Sequence, residues 1–277
     1  MDSIENSHKT IRALLADATA KIGRFEAAIL LGHVLGKPRE FLIAHDDEVV
    51  DDTKILAFTM LVDSRIEGMP VPYLTGRQEF FGRYFTVDNN VLIPRPDTEV
   101  LIEQAQVVIP EKARILDLGT GSGCIAVTLA LQYPEASVTA TDFSPGALAV
   151  AKKNASDLGA RVEFREGSWW APIPFDETFD IIVSNPPYIE SNDPHLRALG
   201  YEPRTALTDG STGLTALETI ICGAPIHLVP GGWLLVEHGY DQGEAVRAIF
   251  KETGFAAIRT IRDYGDNERV TMGRKVP

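Results

Sequence analysis

The stretch ARILDLGTGSG, residues 113–123, decides the fold. Its first residues read as a strand, which runs directly into Gly119, Thr120, Gly121, Ser122 and Gly123 and then into an apolar helical run over Cys124–Gln132. Glycines at the carboxyl end of a strand permit a sharp turn, and they let a ligand approach the backbone and the helix N-terminus. The spacing is GxGxG; where GxGxxG would put its third glycine, Cys124 and Ile125 begin the helix, so the loop departs from the dinucleotide fingerprint. Taken alone, such a loop is also readable, with less weight, as a tight turn without a ligand.

Outward from this loop the chain alternates between the two periods. SVTATD (residues 137–142), RVEFREG (161–167), FDIIVSN (179–185), GGWLLVEHG (231–239), 256–261 and 268–274 read as further strands. Helical segments at 145–158, 213–222 and 242–253 separate most of them. Strands joined by helices of that length predict an α/β, doubly wound, mostly parallel, Rossmann-like sheet of seven strands. Upstream, from Ser7 to about residue 67, Ile11, Leu14, Leu15, Ala18 and Ile22 recur at helical spacing, as do Ala27, Leu30, Leu31 and Val34. Breaks at Gly23, at Gly36 and in the acidic loop 46–52 divide this part into a small four-helix bundle. After Gly76 the period moves towards two through Phe81, Tyr84, Phe85 and Val87, then Val91, Leu92 and Ile93, which predicts a β-hairpin turning at Asn89 and Asn90. The expected organisation is a helical bundle over 1–75, a β-hairpin linker over 76–95 and an α/β domain over 96–277.

The 277 residues, 44% hydrophobic and 23% charged, exclude a disordered chain or a disulfide-stapled miniprotein. The formal net charge is -13, and residues 1–78 hold 12 acidic and 9 basic side chains, so most of the surplus lies beyond them. Such a balance repels phosphate backbones and argues against direct binding of nucleic acid; a basic docking surface belongs on a partner. Cys124 and Cys222 form no CxxC pair, so neither zinc nor a disulfide framework is expected, and no metal is assigned. The opening residues MDSIENSHKT lack the basic and apolar regions of a secretion signal, and no apolar run reaches membrane-spanning length. The expected location is cytoplasmic.

Two further positions carry chemistry. Asp142 ends the strand after the glycine loop, where a carboxylate accepts hydrogen bonds from ribose hydroxyls; it also suits the cap of the helix that starts near Ser144 and Pro145, and the two roles are compatible. The sharper signal is Asn185, Pro186, Pro187 and Tyr188 after Ser184, again at a strand end. Two prolines fix an extended turn and remove two backbone donors, so carbonyl oxygens are left as acceptors. Asn185 adds a side-chain acceptor and Tyr188 a flat ring, a combination suited to a planar NH₂ group.

With these motifs the sequence resembles class I S-adenosylmethionine-dependent methyltransferases. IPRPDTE (93–99), DLGTGSGCIA (117–126), SNPPYI (184–189), YEPRTAL (201–207) and PVPYLTGRQEFFGRYF (70–85) resemble, more narrowly, the peptide chain release factor glutamine methyltransferase family. The resemblance implies S-adenosylmethionine as cofactor, held by Gly119, Thr120, Gly121, Ser122, Gly123, Asp142, Trp170 and Asn185, with Trp169 an alternative to Trp170 beside the adenine. It implies a release factor glutamine as substrate, resting on Asn185, Pro186, Pro187 and Tyr188, with Asn185 and Pro186 orienting the reacting nitrogen. It also implies that the bundle helps dock the release factor; a monomer is the expected form, while the roles of Arg95, Thr98, Glu99 and Glu237 stay open. A DNA adenine amino-methyltransferase uses the same tetrapeptide logic, and a non-catalytic binding module could keep the same fold.

Overall fold

The computed structural model describes residues 9–277; the expected start of the bundle at Ser7, with the polar residues before it, lies outside the described residues. The chain divides into two compact units, Met1–Gly76 and Arg77–Pro277.

In the first unit, α1 (Ile11–Ile22) starts at Thr10, whose hydroxyl accepts from the Ala13 amide. Gly36, with φ 63°, closes α2 (Arg24–Leu35), and α3 (Arg39–Ala44) follows. The Asp51 carboxylate caps α4 (Asp52–Ile66), and α5 (Val71–Thr75) occupies the proline-containing stretch. Ile11, Ala18, Leu30, Leu31, Phe58 and Val62 form the shared core. Arg65 also donates to both oxygens of Glu26, at 2.7 and 3.1 Å, joining α4 to α2. A half-exposed pair of this kind contributes about 1 kcal/mol or less, so burial of the apolar faces holds the unit together.

The second unit opens with an antiparallel hairpin, β1 (Arg77–Phe80) and β2 (Arg83–Thr86). Its turn is Phe81–Gly82, not the expected Asn89–Asn90 pair. Both Phe81 (φ 51°) and Gly82 (φ 73°) are left-handed, the geometry whose twist matches two antiparallel strands. Asn90 sits instead in a local turn, its amide N–H and Nδ2 donating to Asp88 Oδ1 at 2.9 and 3.0 Å. The hairpin packs into the larger unit: Phe80 and Phe85 are fully buried in one cluster with Leu101, Ile125 and Ala155. Asn154 fixes its end, accepting from the Thr86 amide at 2.7 Å and donating to the Thr86 carbonyl at 3.0 Å.

A 3-10 turn (Pro96–Thr98) leads into α6 (Glu99–Val108). Then come β3 (Arg114–Leu118), α7 (Cys124–Gln132), β4 (Ser137–Asp142), α8 (Pro145–Leu158), β5 (Glu163–Glu166) and β6 (Phe179–Ser184). The chain continues through α9 (Thr215–His227), β7 (Leu228–Glu237), α10 (Gly243–Glu252), β8 (Ala256–Arg262) and β9 (Glu268–Arg274). Seven strands form one sheet in the order β5-β4-β3-β6-β7-β9-β8, with the first five mutually parallel and β9 antiparallel to both neighbours. This is the expected doubly wound sheet. Alternate residues serve opposite faces: Ile115, Ile181, Val183 and Leu235 pack with α6, α7 and α8. Leu116, Ile182, Leu234 and Val236 pack with α9 and α10. No helix among the described residues is long and apolar enough to cross a membrane.

Candidate active site

Strand register assembles the site. Leu118 of β3 pairs with Thr141 of β4 and with Ser184 of β6, so the three strands end level. The next residues, Gly119, Asp142 and Asn185, therefore emerge along one sheet edge, where the strand order reverses and a crevice opens. A cavity of about 410 Å³ occupies this edge, lined by Gly119, Thr120, Gly121, Ser122, Asp142 and Asn185 among others. Its volume falls in the range of small-molecule sites.

Gly119 (φ 74°) and Gly123 (φ 80°) are both left-handed. A Cβ on Gly119 would stand 3.2 Å from the Trp169 ring, and one on Gly123 would stand 3.0 Å from Ala151 Cβ of α8. Hydrogen bonds hold the loop rigid: the Gly119 and Thr120 amides both donate to the Thr141 carbonyl at 2.9 Å, and Thr120 Oγ1 donates to Asp117 Oδ2 at 2.6 Å. Asp142 Oδ2 accepts from the Gly121 amide at 2.8 Å and Oδ1 from the Ser144 amide at 2.9 Å. The cap of α8 is Ser144, whose hydroxyl accepts from the Ala147 amide, so Asp142 is left at the cavity. Burial pushes Asp142 above the usual carboxylate range, and Asp117 up to about 7. Ser122 Oγ is buried without a partner on the cavity wall. This donor set, with its cradle that a Cβ would fill, fits a sulfonium nucleoside such as S-adenosylmethionine.

The other wall is the Asn185 turn. Ser184 Oγ donates to the Leu118 carbonyl at 2.6 Å, fixing β6 against β3 at the edge. Asn185 Nδ2 donates to Thr98 Oγ1 at 3.1 Å, so Oδ1 is the end of the amide left to accept. Asn185 and Pro187 line the cavity; Pro186, between them in the chain, is buried, its carbonyl oxygen taking no hydrogen bond within the described residues. Tyr188 does not line the cavity either: its hydroxyl donates to Glu237 Oε1 at 3.0 Å, and its carbonyl accepts from Gln242 Nε2 at 2.9 Å. Burial pushes Glu237 up to about 7, while burial and the neighbouring Glu237 carboxylate raise the Tyr188 phenol far above its ordinary value.

Trp170, expected beside the adenine, is not on the cavity. Its Nε1 donates to the Thr219 carbonyl at 3.0 Å and its ring stacks on His227 at 5.0 Å. The indole that lines the cavity is Trp169, turned there by its left-handed φ of 47°. Phe143, half exposed on the same wall, is a lining residue that motif reading misses, although it directly follows Asp142. Arg95 lines the cavity and pairs with buried Glu202, whose Oε2 accepts from the Ile93 amide at 3.0 Å. Glu202 thus ties YEPRTAL to IPRPDTE. Glu99 serves the hairpin instead, accepting from the Phe81 amide at 2.9 Å. No histidine among the described residues lines the cavity.

This fold and site define a Rossmann-like methyltransferase: the Methyltransferase small domain family matches residues 96–200. A methyltransferase from Pyrococcus furiosus shares the fold, with TM-score 0.56 and 19% identity, covering 72% of this chain and 91% of its own. A 16S rRNA methyltransferase from T. Thermophilus in complex with AdoMet and guanosine gives TM-score 0.55 at 19% identity, covering 72% and 49%. The PrmC N-terminal domain family matches residues 8–76. Release factor glutamine methyltransferases of Neisseria gonorrhoeae and Bordetella pertussis are each 48% identical to the chain. The first alignment covers 92% of this chain and 94% of the relative, the second 94% and 98%. The chain belongs to the release factor glutamine methyltransferase family.

Proposed function

We propose that this protein transfers a methyl group from S-adenosylmethionine to the side-chain amide nitrogen of the glutamine in the Gly-Gly-Gln motif of peptide chain release factors. The cofactor supplies a methyl carried on a positively charged sulfur. An amide nitrogen is a weak nucleophile because its lone pair is delocalised, so orientation and electrostatics must carry the reaction. The observation that carries this reading is the tethered Asn185 amide: with Nδ2 committed to Thr98, Oδ1 accepts one N–H of the substrate amide. The Pro186 carbonyl accepts the other. Together they align the nitrogen and stabilise the positive charge that develops on it.

Asp142 would accept the ribose hydroxyls beside the loop of Gly119, Thr120, Gly121, Ser122 and Gly123, and the rings of Phe143 and Trp169 would flank the adenine. Pro187 forms part of the substrate wall, and Tyr188 supports that wall from behind. The helical unit over 1–75 docks the release factor, with the hairpin over 76–95 leading into the methyltransferase domain over 96–277. The protein acts as a monomer in the cytoplasm. Incubating it with S-adenosylmethionine and a release factor, followed by mass spectrometry of the factor, should show one added methyl on the glutamine. A factor left unmodified, with label appearing on duplex DNA instead, would overturn the reading.

A further inference from the structure

The Asn185 amide has nearly the same shape either way round, so shape alone does not decide whether oxygen or NH₂ faces the cavity. An NH₂ there would oppose the NH₂ of a substrate glutamine and abolish the acceptor. The decision passes to Thr98, which is 2% exposed and whose hydroxyl has one proton to give. If that proton went to Asn185, the amide would turn its oxygen to Thr98 and its NH₂ to the cavity. Thr98 accepts from Asn185 instead, at 3.1 Å. Its proton is therefore directed elsewhere, and the neighbouring carboxylate whose charged form it favours is Glu237. Glu237 is 1% exposed; Oε1 takes the Tyr188 hydroxyl at 3.0 Å, and Oε2 is a buried acceptor with no hydrogen-bond partner among the described residues.

We infer that Glu237 is a positioning residue for methyl transfer: its carboxylate draws the Thr98 hydroxyl proton, which obliges Thr98 to accept from Asn185 and so keeps Asn185 Oδ1 on the cavity. The same carboxylate holds Tyr188, so one buried charge orders both ends of the tetrapeptide. Only the ionised form accepts at both oxygens at once, because protonation turns one of them into a donor. The groups facing Glu237 are Arg269 on β9, Asp97 in the 3-10 turn, Tyr188 after β6 and Cys124 on α7. Arg269, itself paired with Asp263 at 3.0 Å, favours the charge, while Asp97 and burial oppose it. The net effect pushes the carboxyl up to about 7, so Glu237 gains its charge as pH rises through that region.

The inference rests on the proposed activity, and the test separates the two. In Glu237→Gln the new amide NH₂ donates to Thr98, whose proton then turns to Asn185 and reverses its amide. With wild-type protein active on release factor, kcat of E237Q should fall about 10²-fold, with binding of S-adenosylmethionine by calorimetry unchanged. The wild-type kcat should rise with pH through about 7, and E237Q should lose that limb. Thr98→Val, which removes the relay hydroxyl, should show the same loss, and E237Q/T98V should be no worse than either single variant. Wild-type kcat in E237Q, a retained pH limb, or additive losses in the double variant would overturn the role of Glu237. Failure of the wild type to methylate release factor would instead overturn the proposed function.

Discussion

Replacing Gly123 by alanine tests whether the glycine loop is fixed by helix packing or only by its backbone conformation. At φ 80° an alanine bears a left-handed penalty of about 1–2 kcal/mol. Its Cβ would also lie 3.0 Å from Ala151 Cβ and 3.2 Å from Ala151 Cα, and the second of these is backbone of α8 that cannot rotate away. Forcing the helices apart adds the usual overpacking cost of about 1–3 kcal/mol. Gly121 supplies the internal control: it has φ 54° and nothing within 4 Å of the point where a Cβ would stand, so Gly121→Ala carries the conformational cost alone. Gly123→Ala should therefore be less stable than Gly121→Ala by about 1–3 kcal/mol. Urea unfolding followed by tryptophan fluorescence reads the right unit, because Trp169, Trp170 and Trp233 all lie in Arg77–Pro277. Separating α7 from α8 also strains the 2.8 Å bond between the Gly121 amide and Asp142, so cofactor affinity should fall with stability in the Gly123 variant. Equal destabilisation of the two variants would refute the packing argument.

Asn185→Ala should lower turnover by about 10²-fold in the release factor assay, while calorimetric binding of S-adenosylmethionine persists. Trp169→Ala should raise the KM for S-adenosylmethionine, whereas Trp170→Ala, losing its His227 stack and its bond to Thr219, should lower stability by about 1–3 kcal/mol with KM unchanged. Asp117 has its carboxyl raised from 3.8 to about 7 in the folded protein, so the fold binds a proton more tightly than the unfolded chain does. Its contribution to stability is full below about 4 and is lost as pH rises through about 7. Asp117→Asn should accordingly flatten the pH dependence of the urea midpoint across that window, and an unaltered slope would show that Asp117 does not titrate there.

What the sequence makes legible is whatever depends on strand ends. Gly119, Asp142 and Asn185 each sit at the end of an apolar strand, and once the strands are parallel and level their meeting at one edge is fixed by register. Residues whose placement depends on a local backbone twist are not legible. Trp169 and Trp170 are adjacent and chemically identical; a positive φ at Trp169 sends one ring to the cavity and leaves the other stacked on His227. The hairpin turn departs from expectation for the same reason. Asn89 and Asn90 are common turn formers, but Phe81 takes the left-handed position because its ring packs against the core of the larger unit.

Glu237 shows a third limit. At the end of β7 it could equally face the cavity or finish the strand, since nothing in GGWLLVEHG names its partners. Its hydrogen-bond partner Tyr188 comes from a segment far away in sequence, and it meets Glu237 because β7 lies beside β6 in the sheet. Strand order thus does two things for the site. It brings the glycine loop and the Asn185 turn to one edge, and it places a buried carboxylate beside that turn, where its charge can fix which end of the Asn185 amide faces the reacting nitrogen.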